Sequence, residues 1–134
     1  MGPFDEARET NLVGVDLEMI HQLRIYEIFE KNKAAFHVRF RDHAARIMKS
    51  YDFDIIATWE SKAGDRTEFV YLLAWPDEET MLRAWERFRA DEEWKKIKKL
   101  TNAQHGDLVG VIEERTLIPT KYSPSIRRTK PDNK

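Results

Sequence analysis

The chain has 134 residues, the size of one ordinary domain, and a chain of that size buries roughly two-thirds of its unfolded surface without metal or disulfide staples. Although 35% of the residues are charged, 23 basic against 24 acidic side chains leave a formal charge of −1, so no global field draws the chain to nucleic acid or to an anionic membrane. There is no cysteine, which removes thiol nucleophiles, thiolate metal sites and disulfides together, fits a reducing compartment and makes the cytoplasm the simplest location.

The N-terminal MGPFDEARET lacks the basic start and apolar run of a targeting segment, and no stretch approaches the roughly 20 apolar residues of a membrane helix. Residues 1–18 read as a leader in which Leu12 to Leu17 (LVGVDL) is either a short extra strand or a segment laid along an edge. From Met19 to Phe29 the pattern alternates, predicting a first strand with His21, Leu23 and Ile25 on one face and Gln22, Arg24 and Tyr26 on the other. A helix follows from about Lys33 to Ser50, with Phe36, Phe40, His43, Ala44, Ile47 and Tyr51 on one side. Arg39, Arg41, Asp42 and Arg46 form its expected wet side.

Phe53 to Glu60 (FDIIATWE) predicts a second strand, and Ser61 to Arg66, containing Gly64-Asp65, a hairpin loop into a third. Phe69 to Trp75 is nearly continuous apolar sequence, the pattern of a central strand covered on both faces. Pro76 cannot extend a ladder, and Asp77 can cap a helix whose apolar side carries Met81, Leu82, Trp85 and Phe88. Asp91 can cap a second segment with Trp94, Ile97 and Leu100 on one face, so the helix bends or restarts near Ala90. Thr101 to Asp107 reads as turn chemistry, and Leu108 to Ile118 as a last strand in which Gly110 marks a bulge or a close approach. The sequence from Pro119 on is not core, and residues 125–134 form a basic tail.

The order is strand, helix, strand, strand, helix, strand, which predicts an α+β, ferredoxin-like (βαββαβ) domain over residues 19–124, with a four-stranded antiparallel sheet and its helices on one face. The other face would be bare yet rich in Ile, Val, Tyr and Trp. Burial at about 25 cal/mol per Å² then drives two copies together, giving a homodimer.

With the elements aligned, the chain resembles the NIPSNAP family of the dimeric α+β barrel group. The carrying segments are LRIY (23–26), RFRDHA (39–44), the Trp59 strand, FVYLLAWPDEETMLRAWERFRADEEW (69–94) and LIPTKYSP (117–124). The resemblance implies two ferredoxin-like sheets closing around a central cavity, and a role in interaction or transport rather than chemistry. Where the family commonly has Gly-Lys before the first helix and His-Gly after it, this chain has Asn32-Lys33 and Tyr51-Asp52.

The residues for a ligand site are Gln22, Arg24, Tyr26 and His43. Arg24 on a central strand needs a carboxylate, a ligand anion or a wet cavity, with Glu114 or Glu60 as protein partners, and Tyr26 can donate a hydrogen bond beside it. His43 is either a core histidine or a ligand contact and general base. His37 and His43 are too far apart in sequence to share one helix face as metal ligands, so neither a metal nor another cofactor is expected. Two functions follow. One is a non-enzymatic homodimer binding a small molecule or a protein partner through the barrel. The other, by analogy with related barrels, is a cofactor-independent monooxygenase or isomerase acting on an aromatic or polyketide-like molecule, with Arg24 holding an anionic oxygen, Tyr26 donating and His43 as the base.

Overall fold

A computed structural model describes residues 19–126, so the expected leader and nearly all of the basic tail lie outside the described residues. Strand β1 (Ile20–Ile28) leads through a 3₁₀ turn (Glu30–Asn32) into α1 (Lys33–Arg39), a π-helical turn (Phe40–Ala44) and α2 (Ala45–Ser50). Strands β2 (Asp54–Ala63) and β3 (Arg66–Trp75) form a hairpin, followed by α3 (Glu78–Ala90), α4 (Glu92–His105) and β4 (Val109–Leu117). The sheet order is β2-β3-β1-β4, every pairing antiparallel, as the ferredoxin-like reading requires.

Residue parity decides which face is covered. On β3, Thr67, Phe69, Tyr71, Leu73 and Trp75 are all buried, and they sit opposite Ile28, Tyr26, Arg24, Gln22 and Ile20 of β1. The helices lie on this face, where Phe36, Phe40, Ile47, Met81, Trp85 and Phe88 complete the core with Phe53 and Trp94. The opposite face carries Leu23, Ile25, Val70 and Leu72, each only partly covered, and Trp59 is 50% exposed. It pairs with Val70 on the uncovered side.

The caps fall where the sequence puts them. Asp77 accepts from the Thr80 N–H at 2.7 Å and Asp91 from the Trp94 N–H at 2.7 Å, satisfying free donors at the starts of α3 and α4. The hairpin loop is tighter than expected. Ala63 pairs with Arg66, leaving only Gly64 and Asp65 between the strands, with Gly64 at φ 65°, the sign a type II′ turn needs at its first central residue. Leu82 is 57% exposed rather than packed, because Ala84 and not Leu82 completes the buried stripe of α3. The expected turn at Thr101 is still helix: the Thr101 hydroxyl bonds back to the Ile97 carbonyl, and α4 ends only at Gly106, at φ 82°, whose N–H bonds the Asn102 carbonyl.

The loops before and after the first helical stretch are set by local contacts. Asn32 is buried, and its Nδ2 donates to the carbonyls of His105 at 3.1 Å and Asp107 at 2.8 Å, tying the start of α1 to the end of α4. Asp52, in the turn after α2, sits at φ 70°.

Candidate functional site

Arg24 stands at the centre of the helix-covered face. Its neighbour across the ladder on β4 is Glu114, and the Nη1–Oε1 distance is 2.5 Å; of the two partners foreseen, Glu114 is the one used. Glu60 instead meets Lys33 at 3.0 Å and His37 at 3.2 Å. The Arg24 guanidinium lies 4.2 Å from the centre of the Trp85 ring, and its Nη2 donates to the Tyr26 hydroxyl at 3.1 Å. Burial acts to lower its proton affinity, but the Tyr26 and Tyr71 phenols more than offset that and hold it above its ordinary value. The buried Nε has no acceptor among the described residues.

The phenol pair fixes the direction of a proton. Tyr26 and Tyr71 hydroxyls are 2.6 Å apart, and Tyr71 is fully buried with Tyr26 as its hydrogen-bond partner. Burial first, with the neighbouring Tyr26 phenol, pushes the Tyr71 phenol well above its ordinary value against the pull of Arg24, so it keeps its proton. A buried O–H must find an acceptor, and the Tyr26 oxygen is the one at hand. Tyr26 then accepts from both Tyr71 and Arg24, and its own O–H is left to donate elsewhere.

Arg24 and Tyr26 border a cavity of about 310 Å³ between sheet and helices. β1 and β4 supply Arg24, Tyr26 and Ile112 to its floor; Phe36 and Arg39 of α1, Trp85, Phe88 and Arg89 of α3, and Trp94, Lys98 and Asn102 of α4 close over it. Its lining is aromatic and cationic, with Asp107 as the acidic side chain on the wall. A larger surface groove, about 830 Å³, runs between β2 and the first helices; it is more open, and of its cations Arg41 and Arg46 are already paired with Asp42 and Glu93, leaving Lys49 on the wall. The smaller cavity is therefore the better candidate.

The four residues predicted for the site do not all converge. Arg24 and Tyr26 line the cavity. Gln22 lies beneath it, 1% exposed, and its Oε1 accepts from the indole N–H groups of Trp75 at 2.9 Å and Trp85 at 2.8 Å. An indole only donates, so the shared atom must be the amide oxygen, and Gln22 positions Trp85 rather than touching a ligand. His43 sits elsewhere, its Nδ1 3.3 Å from Arg46 Nη2 in a surface network that reaches Glu93.

The expected location also needs correcting. Because even-numbered residues of β1 face the helices, Arg24 and Tyr26 border a cavity inside one subunit, not the space between two sheets. Arg39, assigned to the wet side of its helix, is 7% exposed and lines the same cavity. The sequence reading extrapolates one uniform helix through Ser50, whereas the backbone takes a π-helical turn directly after Arg39, and α4 continues far enough to meet its side chain. Trp85 and Trp94 were legible as core but not as cavity walls.

Among the described residues no helix is long and apolar enough to cross a membrane, and no cluster of three His, Asp or Glu side chains is placed to hold a metal. The NIPSNAP family model matches residues 21–124. Among solved structures, the chain is similar to an uncharacterized NIPSNAP-like domain protein from Burkholderia xenovorans, at 20% identity over 87% of this chain and 98% of that one, with a TM-score of 0.68. A NIPSNAP family protein with unknown function from Agrobacterium tumefaciens gives 22% identity, 82% and 96% coverage, and a TM-score of 0.67. A dimeric ferredoxin-like protein from an uncultured marine organism gives 13% identity, 87% and 99% coverage, and a TM-score of 0.50. At these identities the likeness to solved structures carries the fold alone. No curated protein matches the chain significantly.

Proposed function

The chain belongs to the NIPSNAP family, and from that premise we propose that it is a homodimer, working in the cytoplasm, that binds a small organic molecule in the cavity beneath the helices of each subunit. The observation that carries the binding reading is the cavity itself: aromatic walls with the Tyr26 hydroxyl and the Arg39 guanidinium on the same lining. Dimerisation is supported by the half-covered apolar side of the sheet, where Leu23 and Ile25 of β1 lie beside Leu72 and Val70 of β3 and Val70 beside the exposed Trp59 of β2, and by the likeness to a dimeric ferredoxin-like protein. The alternative, a cofactor-independent monooxygenase or isomerase, would find an oxyanion donor in Tyr26, but His43, the base assigned to it, lies outside the cavity. Binding is therefore preferred to turnover.

Native mass spectrometry of gently purified protein tests both parts. The expected spectrum is a dimer, with retained extra mass that disappears on Tyr26→Trp, which fills the cavity. A monomer would remove the dimer, and failure of any small molecule to bind would remove the site.

A further inference from the structure

Arg39 is the unusual cation of this protein. It is 7% exposed, yet it makes no ion pair among the described residues; its hydrogen bonds go to neutral atoms, Thr101 Oγ1 at 2.8 Å and Asn102 Oδ1 at 3.3 Å. Both bonds use Nη1. Nε and Nη2, the edge of a guanidinium that grips a carboxylate side-on, meet no acceptor among the described residues, and the side chain lines the cavity. Trp94 covers one face of the group at 5.4 Å. Buried charges are ordinarily paired, and an isolated one is disfavoured by desolvation. Burial does lower the proton affinity of Arg39, with the Tyr26 phenol acting against it.

The contrast with Arg24 decides which cation is available. Arg24 is held by Glu114, so an incoming anion would have to compete with a carboxylate already in place. Arg39 has no such competitor. Arg89 and Lys98, also on the cavity wall, lie near Trp85 and Trp94 and add positive potential without a paired acid among the described residues.

We infer that the ligand is an organic anion with a flat aromatic or otherwise apolar body, its carboxylate or equivalent acid gripped by the free edge of Arg39 and its body lying among Trp85, Phe36 and Trp94. Arg24 serves as a positioning residue that orients the Tyr26 O–H toward the same molecule. This rests on the cavity reading above and adds to it a charge and a residue.

The test uses two probes of nearly equal shape on the full chain, 2-naphthoate and uncharged 2-naphthylmethanol, with binding measured by calorimetry on wild type, Arg39→Gln and Arg39→Lys. The expected result is at least tenfold tighter binding of naphthoate by wild type, a preference reduced to about onefold in Arg39→Gln and partly kept in Arg39→Lys. Arg39→Gln is also expected to raise the melting temperature of the unliganded protein, since it removes an uncompensated buried charge; a merely structural arginine would give the opposite shift. If both probes bind wild type equally, or if Arg39→Gln keeps the preference for naphthoate, the anion assignment falls and the cavity reading stands. If neither probe binds, the cavity reading falls and takes the assignment with it.

Discussion

The amide oxygen of Gln22 holds the indole of Trp85 at 2.8 Å, and the ring so fixed is the surface on which Arg24 lies. The same oxygen accepts from Trp75, so one buried acceptor satisfies two buried donors. Gln22→Leu would leave both indole N–H groups without a partner, at about 1–3 kcal/mol each. The expected loss is about 2–5 kcal/mol in urea unfolding, larger than for a typical point change. A loss below about 1 kcal/mol would mean the indoles find other acceptors and that Trp85 is not positioned by this contact.

Much of the fold was legible because it rests on local rules. The alternation of β1, the apolar run of β3 and the two aspartate caps each follow from spacing and hydrogen-bonding chemistry that a few neighbouring residues settle. The parts that were not legible depend on distant partners. Arg39 reads as solvent-facing until Thr101 and Asn102 are known to lie against it, and those residues themselves read as a turn rather than helix. Arg24 and Tyr26 were recognisable as polar residues on a buried face, but which layer covered that face depended on the pairing with β3. His43 shares the RFRDHA motif with Arg39, but it lies within the π-helical turn that begins directly after Arg39, and their surroundings differ.

Asp91 links two elements through its carboxylate, which accepts from the Trp94 N–H at the start of α4 and from the Tyr51 hydroxyl beyond α2. The Tyr51 hydrogen bond first, then the Trp94 N–H, lower its proton affinity below the ordinary 3.8. The unfolded chain therefore binds this proton more readily than the folded one, so the contribution is full above pH 3.8 and drains away as pH falls through the lowered value. Asp91→Ala should cost about 1 kcal/mol at neutral pH and leave a shallower acid limb in a plot of unfolding free energy against pH. Tyr51→Phe should weaken the acid limb while keeping the cap. An unchanged slope in both variants would show that other carboxylates govern acid unfolding.

Gly110 lets β4 pass close to β1. A Cβ there would collide with the Glu27 carboxylate and the Phe29 ring, and Glu27 Oε1 is already committed to the Val111 N–H at 3.1 Å, beside the register shift between Tyr26 and Ile28. Gly110→Ala should destabilise by about 1–3 kcal/mol through overpacking. Adding Glu27→Ala should recover part of that loss, because it removes the nearest clashing atoms. Full additivity of the two changes in thermal unfolding would mean that Glu27 is not what resists the methyl group.

Asp52 occupies the left-handed region at φ 70°. The residue is exposed, and the turn around it is held by backbone bonds rather than by its side chain: its N–H bonds the Lys49 carbonyl, and the Phe53 N–H bonds the Met48 carbonyl at 3.1 Å. A Cβ in this conformation is strained, although aspartate tolerates it better than most residues, and glycine is not strained at all. The unfolded glycine chain is more flexible, which opposes the gain. Relief of strain is the larger of the two here, since the backbone bonds fix the conformation whichever residue is present. Asp52→Gly should therefore stabilise by a few tenths to about 1 kcal/mol, and Asp52→Val should destabilise by more than that, because a β-branched side chain fits this region worst. Chemical denaturation of the three proteins with matched slopes would give the order Gly, Asp, Val; a reversed order for Gly and Asp would mean that the aspartate side chain contributes something to the turn that its backbone bonds do not.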